Sequence, residues 1–480
     1  MASQQRQNYR NGEWVGAETT ETVQVTNPAD GSVVATFPKA SPAALNATVE
    51  AAVTAQTAWA SLPAPDRGAI LRDAAHELEQ RRDTVAELLT QEEGKALPEA
   101  TGEVQRAIDI LYHYGEKAKS IAGTVKSASG AQTRLRTITE PLGTVGLITP
   151  WNYPIAIPAW KAAPALVTGN TVVLKPASEA PTVAHELAAC FDRAGMPDGV
   201  FNVITGSGAD VGGALTAHES VDAISFTGST AVGQTVGEVA RNNGARVQLE
   251  MGGKNPAVVM PSANMTEAAT IVGEGGFGVT GQACTATSRA IVHQSVYDDF
   301  LDALTEYAEN IDIGPGLTAE MGPQITATEQ EQTLEYIQTG REEGATLTAG
   351  GGVPDVDGDG HYVEPTVFSD VTPEMTIAQE EIFGPVIAVI AVESFEEAVT
   401  VANDTTYGLS ASIITQDLTE ANEFIDRVES GVVKVNEKTT GLELHVPFGG
   451  TKDSSSETWR EQGDAGLEFF TTTKTVYVNY

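Results

Sequence analysis

Cysteine is nearly absent: the 480-residue chain carries two. Two thiols cannot staple a small disulfide scaffold, and neither stands with His or Cys at ligand spacing, so no metal site is expected. Long apolar runs are missing too. No stretch approaches the roughly 20 residues that span a bilayer, and residues 1–14 are polar, unlike a secretion signal. Positive charge is scarce: 28 Lys+Arg against 65 Asp+Glu leave a net charge of -37, and only 12 of the basic residues are lysines. That excess repels polyanions, which argues against nucleic acid and anionic membranes as partners. Acid-rich, lysine-poor surfaces are similar to those of proteins adapted to molar salt, where screening removes the self-repulsion. Gly 47 and Pro 23 are too few for a collagen-like or disordered chain. The expectation is a soluble, cytoplasmic protein.

What is present is a chain long enough for about two or three domains. Turn pairs at Asn11-Gly12, Asn27-Pro28 and Asp30-Gly31 separate short apolar runs, which predicts small strands near the start. Residues 42–118 read as helical, with Leu71, Ala74, Ala75 and Leu78 at helix spacing. Residues 124–140 read as a polar strand. From 145 on, short apolar strands (145–148, 171–174, 200–204, 223–226, 247–249) alternate with helices at 183–193 and 232–241. A second alternation starts near Pro256 and runs through strands at 290–292, 386–392 and 410–414 and a helix at 296–308. Such alternation predicts parallel sheets covered on both faces, with ligands outside the carboxyl ends of the strands. The Thr/Val-alternating segment 469–480 reads as a strand, and with no partner nearby it is expected to pair across a subunit boundary.

Four residue types carry the chemistry. Cys284 lies in Gly281-Gln282-Ala283-Cys284-Thr285, among small residues that leave room for a substrate; its alternative is a buried structural thiol. Cys190, in Ala188-Ala189-Cys190-Phe191, sits instead on an apolar helical face and reads as core. A cysteine nucleophile needs a base and an oxyanion donor. Glu250, at a strand end among apolar and glycine neighbours, is suited to a raised pKa and base work; its alternative is a salt-bridged strand-end acid. Asn152, between two prolines after the strand at 145–148, is suited to donate to an oxyanion, or is simply a turn asparagine. Phe226-Thr227-Gly228-Ser229-Thr230 joins a strand to a helix and suits a phosphate at the helix start, or is an ordinary capped helix, since it is not the GxGxxG fingerprint. Lys175 follows another strand and is either a ribose or phosphate contact or a solvated lysine.

Six segments in order, TPWNYP at 149–154, WKAAPAL at 160–166, FTGST at 226–230, LEMGGKNP at 249–256, GQACTATSR at 281–289 and EEIFGPV at 380–386, resemble the aldehyde dehydrogenase superfamily over essentially the whole chain. The resemblance implies an α/β fold with a Rossmann-like cofactor domain (1–123 and 140–253), an α/β catalytic domain (254–440) and a small β oligomerisation element (124–139 and 466–480). Residues 441–465 return to the cofactor domain. It implies Cys284 as nucleophile, Glu250 as general base and Asn152 as oxyanion donor. The cofactor set is Ile148, Thr149, Pro150, Trp151, Lys175, Ser178, Gly208, Gly212, Phe226, Gly228, Ser229, Val232, Gly252, Glu381 and Phe383. Tyr153, Gln282, Thr285 and Phe448 are expected to line the substrate, with Lys161 and Asn436 nearby. A homodimer or homotetramer is implied.

Two finer expectations concern ligands. Family members that prefer NAD usually have glutamate three positions after the lysine; here Ser178 stands there and Glu179 one step later. A neutral Ser178 does not repel a 2′-phosphate, so NADP is expected to be preferred, with NAD also accepted. The segments 281–289, 434–450 and 459–463 resemble the branch of the family that acts on 2,5-dioxopentanoate, giving 2-oxoglutarate in sugar-acid degradation; succinate semialdehyde is the alternative. Gln282, Arg289, Lys438 and His445 are candidates for holding such a substrate's carboxylate. Glu250 argues against a CoA-acylating enzyme, and the three matching catalytic positions argue against a silent structural protein; aldehyde-dependent formation of NADPH would separate the enzyme from a cofactor-free cysteine hydrolase.

Overall fold

The computed structural model describes residues 4–16, 20–456 and 459–480. Residues 1–3, at the head of the expected cofactor domain, and 457–458, in the expected return segment, lie outside them. Among the described residues no helix is long and apolar enough to cross a membrane, and no cluster of His, Cys, Asp and Glu is arranged to hold a metal.

Helices form where local chemistry closes their ends. Ser41 accepts from the Ala44 N–H at 3.1 Å and Pro42 occupies the first turn of Pro42–Ser61. The apolar stripe Leu71, Ala74, Ala75 and Leu78 of Ala64–Glu79 is fully buried. Asn264 caps Met265–Phe277, the helix that leads into the Cys284 loop.

A seven-stranded sheet places Thr144–Ile148 beside Thr171–Lys175 and Phe201–Val203 on one side and beside Ala223–Thr227 and Arg246–Glu250 on the other, all parallel. Asn8–Arg10 and Glu13–Val15 extend it as an antiparallel hairpin. Four of the five parallel strands are buried at every position, as a sheet covered on both faces requires. The strand order reverses between Thr144–Ile148 and Ala223–Thr227. The loops leaving these two strands therefore diverge to opposite faces and open a crevice at their carboxyl ends.

A second seven-stranded sheet holds Asn255–Val259, Thr287–His293, Val386–Val392, Thr366–Ser369, Ser410–Ile414 and Val432–Val435 in parallel, with Thr346–Ala349 antiparallel at one edge. Only Met251 to Lys254 separate the last strand of the first sheet from the first strand of the second. The segments that lead into the second sheet consequently approach the carboxyl ends of the first.

A third sheet corrects one expectation. The last strand, Thr471–Asn479, does have a partner in its own chain: it pairs antiparallel with Thr133–Pro141 over nine residues, and Val125–Lys126 pairs on the other side of that strand. The partner lies more than 300 residues away in sequence, which is why proximity along the chain did not reveal it. The strand is the sheet's edge, with its other side unpaired among the described residues.

Candidate active site

Two cavities meet at Cys284. One, of about 450 Å³, is bounded by Tyr153, Trp160, Glu250, Thr285, Leu442 and Phe448 among others. The other, of about 550 Å³, lies in the crevice and is bounded by Trp151, Gly228, Ser229, Gly252, Glu381 and Phe383 among others. Cys284, Ile157, Thr227 and Met251 border both.

The Cys284 loop is held in a strained shape. Val279 (φ 52°), Thr280 (φ 56°) and Gly281 (φ 69°) are three successive left-handed residues, costly for the first two because they carry a Cβ. At Gly281 a side chain would collide with the Gly384 carbonyl, so that position accepts glycine alone. Hydrogen bonds hold the strained shape: the Val279 N–H donates to Glu99 Oε1 (2.6 Å), Thr280 Oγ1 to the Gly322 carbonyl (3.0 Å), and Asn255 Nδ2 to the Cys284 carbonyl (2.8 Å). Burial pushes the Cys284 thiol up, and the carboxylates of Glu381, Glu250 and Glu461 push it further. At neutral pH the thiol keeps its proton, so reaction there requires a base.

Glu250 ends its strand buried. Ser455 Oγ donates to its Oε1 at 3.0 Å and the Gly450 N–H to its Oε2 at 3.3 Å. It makes no ion pair among the described residues, so the salt-bridged alternative does not hold. Burial raises its pKa well above the ordinary carboxylate range, with the nearby Glu461 adding to the rise and Ser455, Lys161 and Arg460 opposing it. Glu461 is itself bonded by Lys161 Nζ, which also donates to Ser225 Oγ (2.7 Å), and by Trp160 Nε1 (2.8 Å).

Asn152 is buried with Nδ2 donating to the Gln282 carbonyl at 2.9 Å; an amide nitrogen has a second hydrogen to give. Its main chain is fixed by a group that sequence reading missed. Fully buried Lys95 donates to the Asn152 carbonyl (2.6 Å) and to Glu103 Oε2 (2.7 Å) and lies 4.3 Å from the Tyr153 ring centroid. Glu103 Oε1 in turn accepts the N–H groups of Ile155 (3.0 Å) and Ala156 (3.1 Å). The available signal was helical spacing: Glu99, Gly102, Glu103 and Arg106 share one face of Leu97–Lys117, and all four border the first cavity.

The expected cofactor residues fall into two groups. Pro150, Trp151, Gly228, Ser229, Gly252, Glu381 and Phe383 border the second cavity. Lys175, Ser178, Gly208 and Gly212 gather further along the crevice and border neither cavity. There Lys175 Nζ donates to the Pro176 carbonyl (3.0 Å), and Ser178 Oγ to the Gly206 carbonyl (3.0 Å). Gly212 lies against the Lys175 stem. Ile148 and Thr149 are buried under the crevice, and Phe226 packs beneath Gly228, whereas Val232 is exposed on the helix Thr230–Asn242. These residues suit a nucleotide. Ser229 starts that 13-residue helix without bonding its side chain to it, leaving helix N–H groups toward the cavity. A Cβ on Gly252 would run into the Glu381 carboxylate, whose second oxygen accepts from the Gly253 N–H at 3.0 Å; a carboxylate there suits ribose hydroxyls.

Three expectations about nearby residues are corrected, those for Gln282, Arg289 and His445. Gln282 does not line the substrate cavity: it is fully buried, its Oε1 accepting from the Ile325 N–H (3.0 Å) and its Nε2 facing the Val279 carbonyl (3.3 Å). Arg289 cannot hold a substrate carboxylate, because its buried guanidinium donates to the carbonyls of Lys254, Val401 and Ala402. His445 is exposed beside Glu443 and borders neither cavity. Asn436 is also exposed, its Oδ1 accepting from the Thr415 N–H at 2.9 Å. Lys438 does border the first cavity, paired with Glu274 at 3.0 Å.

Comparison with known proteins gives a consistent result. The chain matches the model of the "Aldehyde dehydrogenase family" over residues 14–476. It is 61% identical over 476 residues to alpha-ketoglutarate semialdehyde dehydrogenase of Haloferax volcanii, covering 98% of this chain and 99% of that one. It is 46% identical over 476 residues to alpha-ketoglutaric semialdehyde dehydrogenase of Bacillus subtilis, covering 98% and 97%. The NAD+ complex of aldehyde dehydrogenase from Bacillus cereus superposes with a TM-score of 0.96 at 35% identity, covering 99% of this chain and 97% of that one.

Proposed function

The chain belongs to the aldehyde dehydrogenase family, and on that premise we propose that it oxidises 2,5-dioxopentanoate to 2-oxoglutarate with a nicotinamide cofactor, releasing the acid by hydrolysis and not as a CoA ester. The observation that carries this reading is the position of Cys284, a thiol open to a small apolar-walled cavity on one side and to a nucleotide-sized crevice on the other. The substrate assignment rests on the relatives from Haloferax volcanii and Bacillus subtilis.

In the proposed sequence the Cys284 thiol gives its proton to solvent, its sulfur bonds to the aldehyde carbon and the carbonyl electron pair moves onto oxygen. Asn152 Nδ2 and the Cys284 N–H hold that oxyanion. One such donor is worth about 3 kcal/mol. A nicotinamide bound in the second cavity supplies the two-electron acceptor. Return of the oxyanion pair expels the carbon-bound hydrogen with its electrons and leaves a thioester on Cys284. Glu250 then takes a proton from water, whose oxygen adds to the thioester carbon, and the collapse releases the carboxylate and the thiolate. Burial raises the Glu250 pKa well above the ordinary carboxylate range, which makes the ionised carboxylate a stronger base for this proton transfer.

NADP is the proposed preferred cofactor, with NAD accepted. Ser178 is uncharged and its hydroxyl is turned to the Gly206 carbonyl, so no carboxylate stands at that position to repel a 2′-phosphate. Exposed Glu179 is the opposing influence, its charge acting on Lys175. Residues 1–123 and 140–253 are assigned to cofactor binding, 254–440 to the catalytic unit, 441–465 to the return, and 124–139 with 466–480 to assembly of a homodimer or homotetramer through the open edge of Thr471–Asn479.

The test is a panel of semialdehydes assayed with both cofactors. The expected result is the highest kcat/KM for 2,5-dioxopentanoate with NADP and free 2-oxoglutarate as product. A requirement for CoA, or a clear preference for succinate semialdehyde, overturns the reading.

A further inference from the structure

We propose that Arg106 anchors the distal carboxylate of the substrate and so sets the preference for acidic over neutral aldehydes. The inference rests on the cavity of about 450 Å³ being the substrate site.

The argument is a census of charge on that cavity's wall. Four acids border it, Glu99, Glu103, Glu250 and Glu274, and two bases, Arg106 and Lys438. Each acid already has partners. Glu99 accepts from the Val279 and Ala96 N–H groups (2.6 and 3.1 Å). Glu103 holds Lys95 and the start of the helix Ala156–Val167. Glu250 holds Ser455 and Gly450. Glu274 is paired with Lys438 at 3.0 Å, which leaves that lysine neutralised and half in solvent. Arg106 is different. No carboxylate among the described residues is paired with it; its one hydrogen bond runs from Nη2 to Gln462 Oε1, a neutral acceptor, at 2.9 Å.

A guanidinium has five N–H donors in a rigid planar fork that matches a carboxylate. With one donor spent on Gln462, the rest are available. Gln462 is fixed for that purpose in a way that costs the fold. It is a non-glycine residue at φ 61°, its side chain is buried, and its Nε2 has no partner among the described residues. Its carbonyl accepts from the Gly466 N–H (2.9 Å), which ties it to the helix Gly463–Phe469. The guanidinium is thereby oriented by an amide that brings no compensating charge. Partial burial lowers the Arg106 pKa, and the charges of Glu443 and Asp109 oppose that fall without either acid forming an ion pair with it among the described residues. In a protein of net charge -37, a semialdehyde acid that enters as a monoanion is favoured by such a local cation.

The test measures kcat/KM for 2,5-dioxopentanoate and for pentanal, an uncharged aldehyde of the same carbon count, in the wild type, Arg106→Met and Arg106→Lys. The expected result is a fall of about 10- to 100-fold in the dioxopentanoate/pentanal ratio for Arg106→Met, the scale of a lost hydrogen-bonded charge, carried by KM and not kcat. Arg106→Lys, which keeps the charge but not the fork, falls between. An unchanged ratio in Arg106→Met, whether both activities persist or both decline together, overturns the proposal. If the wild type itself shows no preference for the acid over pentanal, the substrate reading fails instead, independently of the variants.

Discussion

Cys190 lies inside the helix Thr182–Arg193, fully buried in a core with Leu187, Phe191 and Phe201, its Sγ 3.5 Å from Arg193 Nη2. Cys284 lies on an irregular loop, three residues after the left-handed run Val279 to Gly281, at the junction of two cavities. Burial raises the pKa of both thiols, so the shift does not separate an inert cysteine from a reactive one. The surroundings do. Around Cys190 the neighbours are apolar and packed, and Arg193 opposes the rise. Around Cys284 three carboxylates add to it, one of them the buried Glu250, and small residues leave space on two sides. The thiol open to a substrate on two sides is the one placed to react, and Glu250, raised by burial, stands near it for the later attack of water.

The comparison breaks first at the sulfur. Cys284→Ser is expected to lower kcat/KM for aldehyde oxidation by about a thousandfold or more, the scale of losing a catalytic nucleophile. Iodoacetamide should label Cys284 and leave Cys190 unmodified in the folded protein, with NADP slowing the labelling. Mass mapping of the alkylated peptide checks both points. Persistence of turnover in Cys284→Ser would falsify the covalent mechanism.

Glu250→Gln sharpens the contrast by separating acylation from hydrolysis. It is expected to reduce steady-state turnover by about a hundredfold or more while leaving a single-turnover burst of reduced cofactor, read by stopped-flow absorbance. The pH dependence follows in sign. Glu250 works as a base only when ionised, and its raised pKa places its protonation above the ordinary carboxylate range. In the wild type kcat should therefore fall as pH drops through that raised value and recover as pH rises. The high thiol pKa acts in the same direction. Loss of the acid limb of kcat in Glu250→Gln, measured on the residual rate, connects the limb to this carboxylate.

The same contrast explains what was legible in the chain. Apolar residues at helix spacing marked Cys190 as core, whereas glycine and alanine around Cys284 left a structural thiol open until the ordered family segments matched it to the nucleophile. The alternating strands at 145–148, 171–174 and 386–392 were readable because strands buried on both faces are continuous apolar runs. Side chains whose role depends on contacts between distant segments were not. Lys95 falls inside the stretch 42–118 that reads only as helical, and only folding carries it to the Asn152 carbonyl. Gln282 and Arg289 stand within five residues of Cys284, yet their side chains turn to distant carbonyls and an N–H. Arg106, 178 positions before Cys284, reaches the cavity because a helical face brings it there with Glu99 and Glu103. The pairing of Thr471–Asn479 with Thr133–Pro141 escaped for the same reason.

Cys190→Ala is the mildest intervention and tests the inert half of the comparison. Removing a buried sulfur from a close-packed helix face leaves a small void, because neighbours such as Leu187 and Phe191 are held by the sheet beneath and relax only in part. The expected cost is about 1–2 kcal/mol, seen as a Tm lower by a few degrees in a thermal melt, with kcat and KM unchanged. Cys190→Ser should cost about the same as Ala, since the added hydroxyl keeps Arg193 Nη2 within reach as a partner and so avoids the larger penalty of an unsatisfied buried polar group. A Ser variant much less stable than Ala would show that Arg193 does not serve Cys190 in solution. A change in kcat for either variant would mean that this thiol communicates with the catalytic loop, and the division between the two cysteines drawn from their surroundings would not stand.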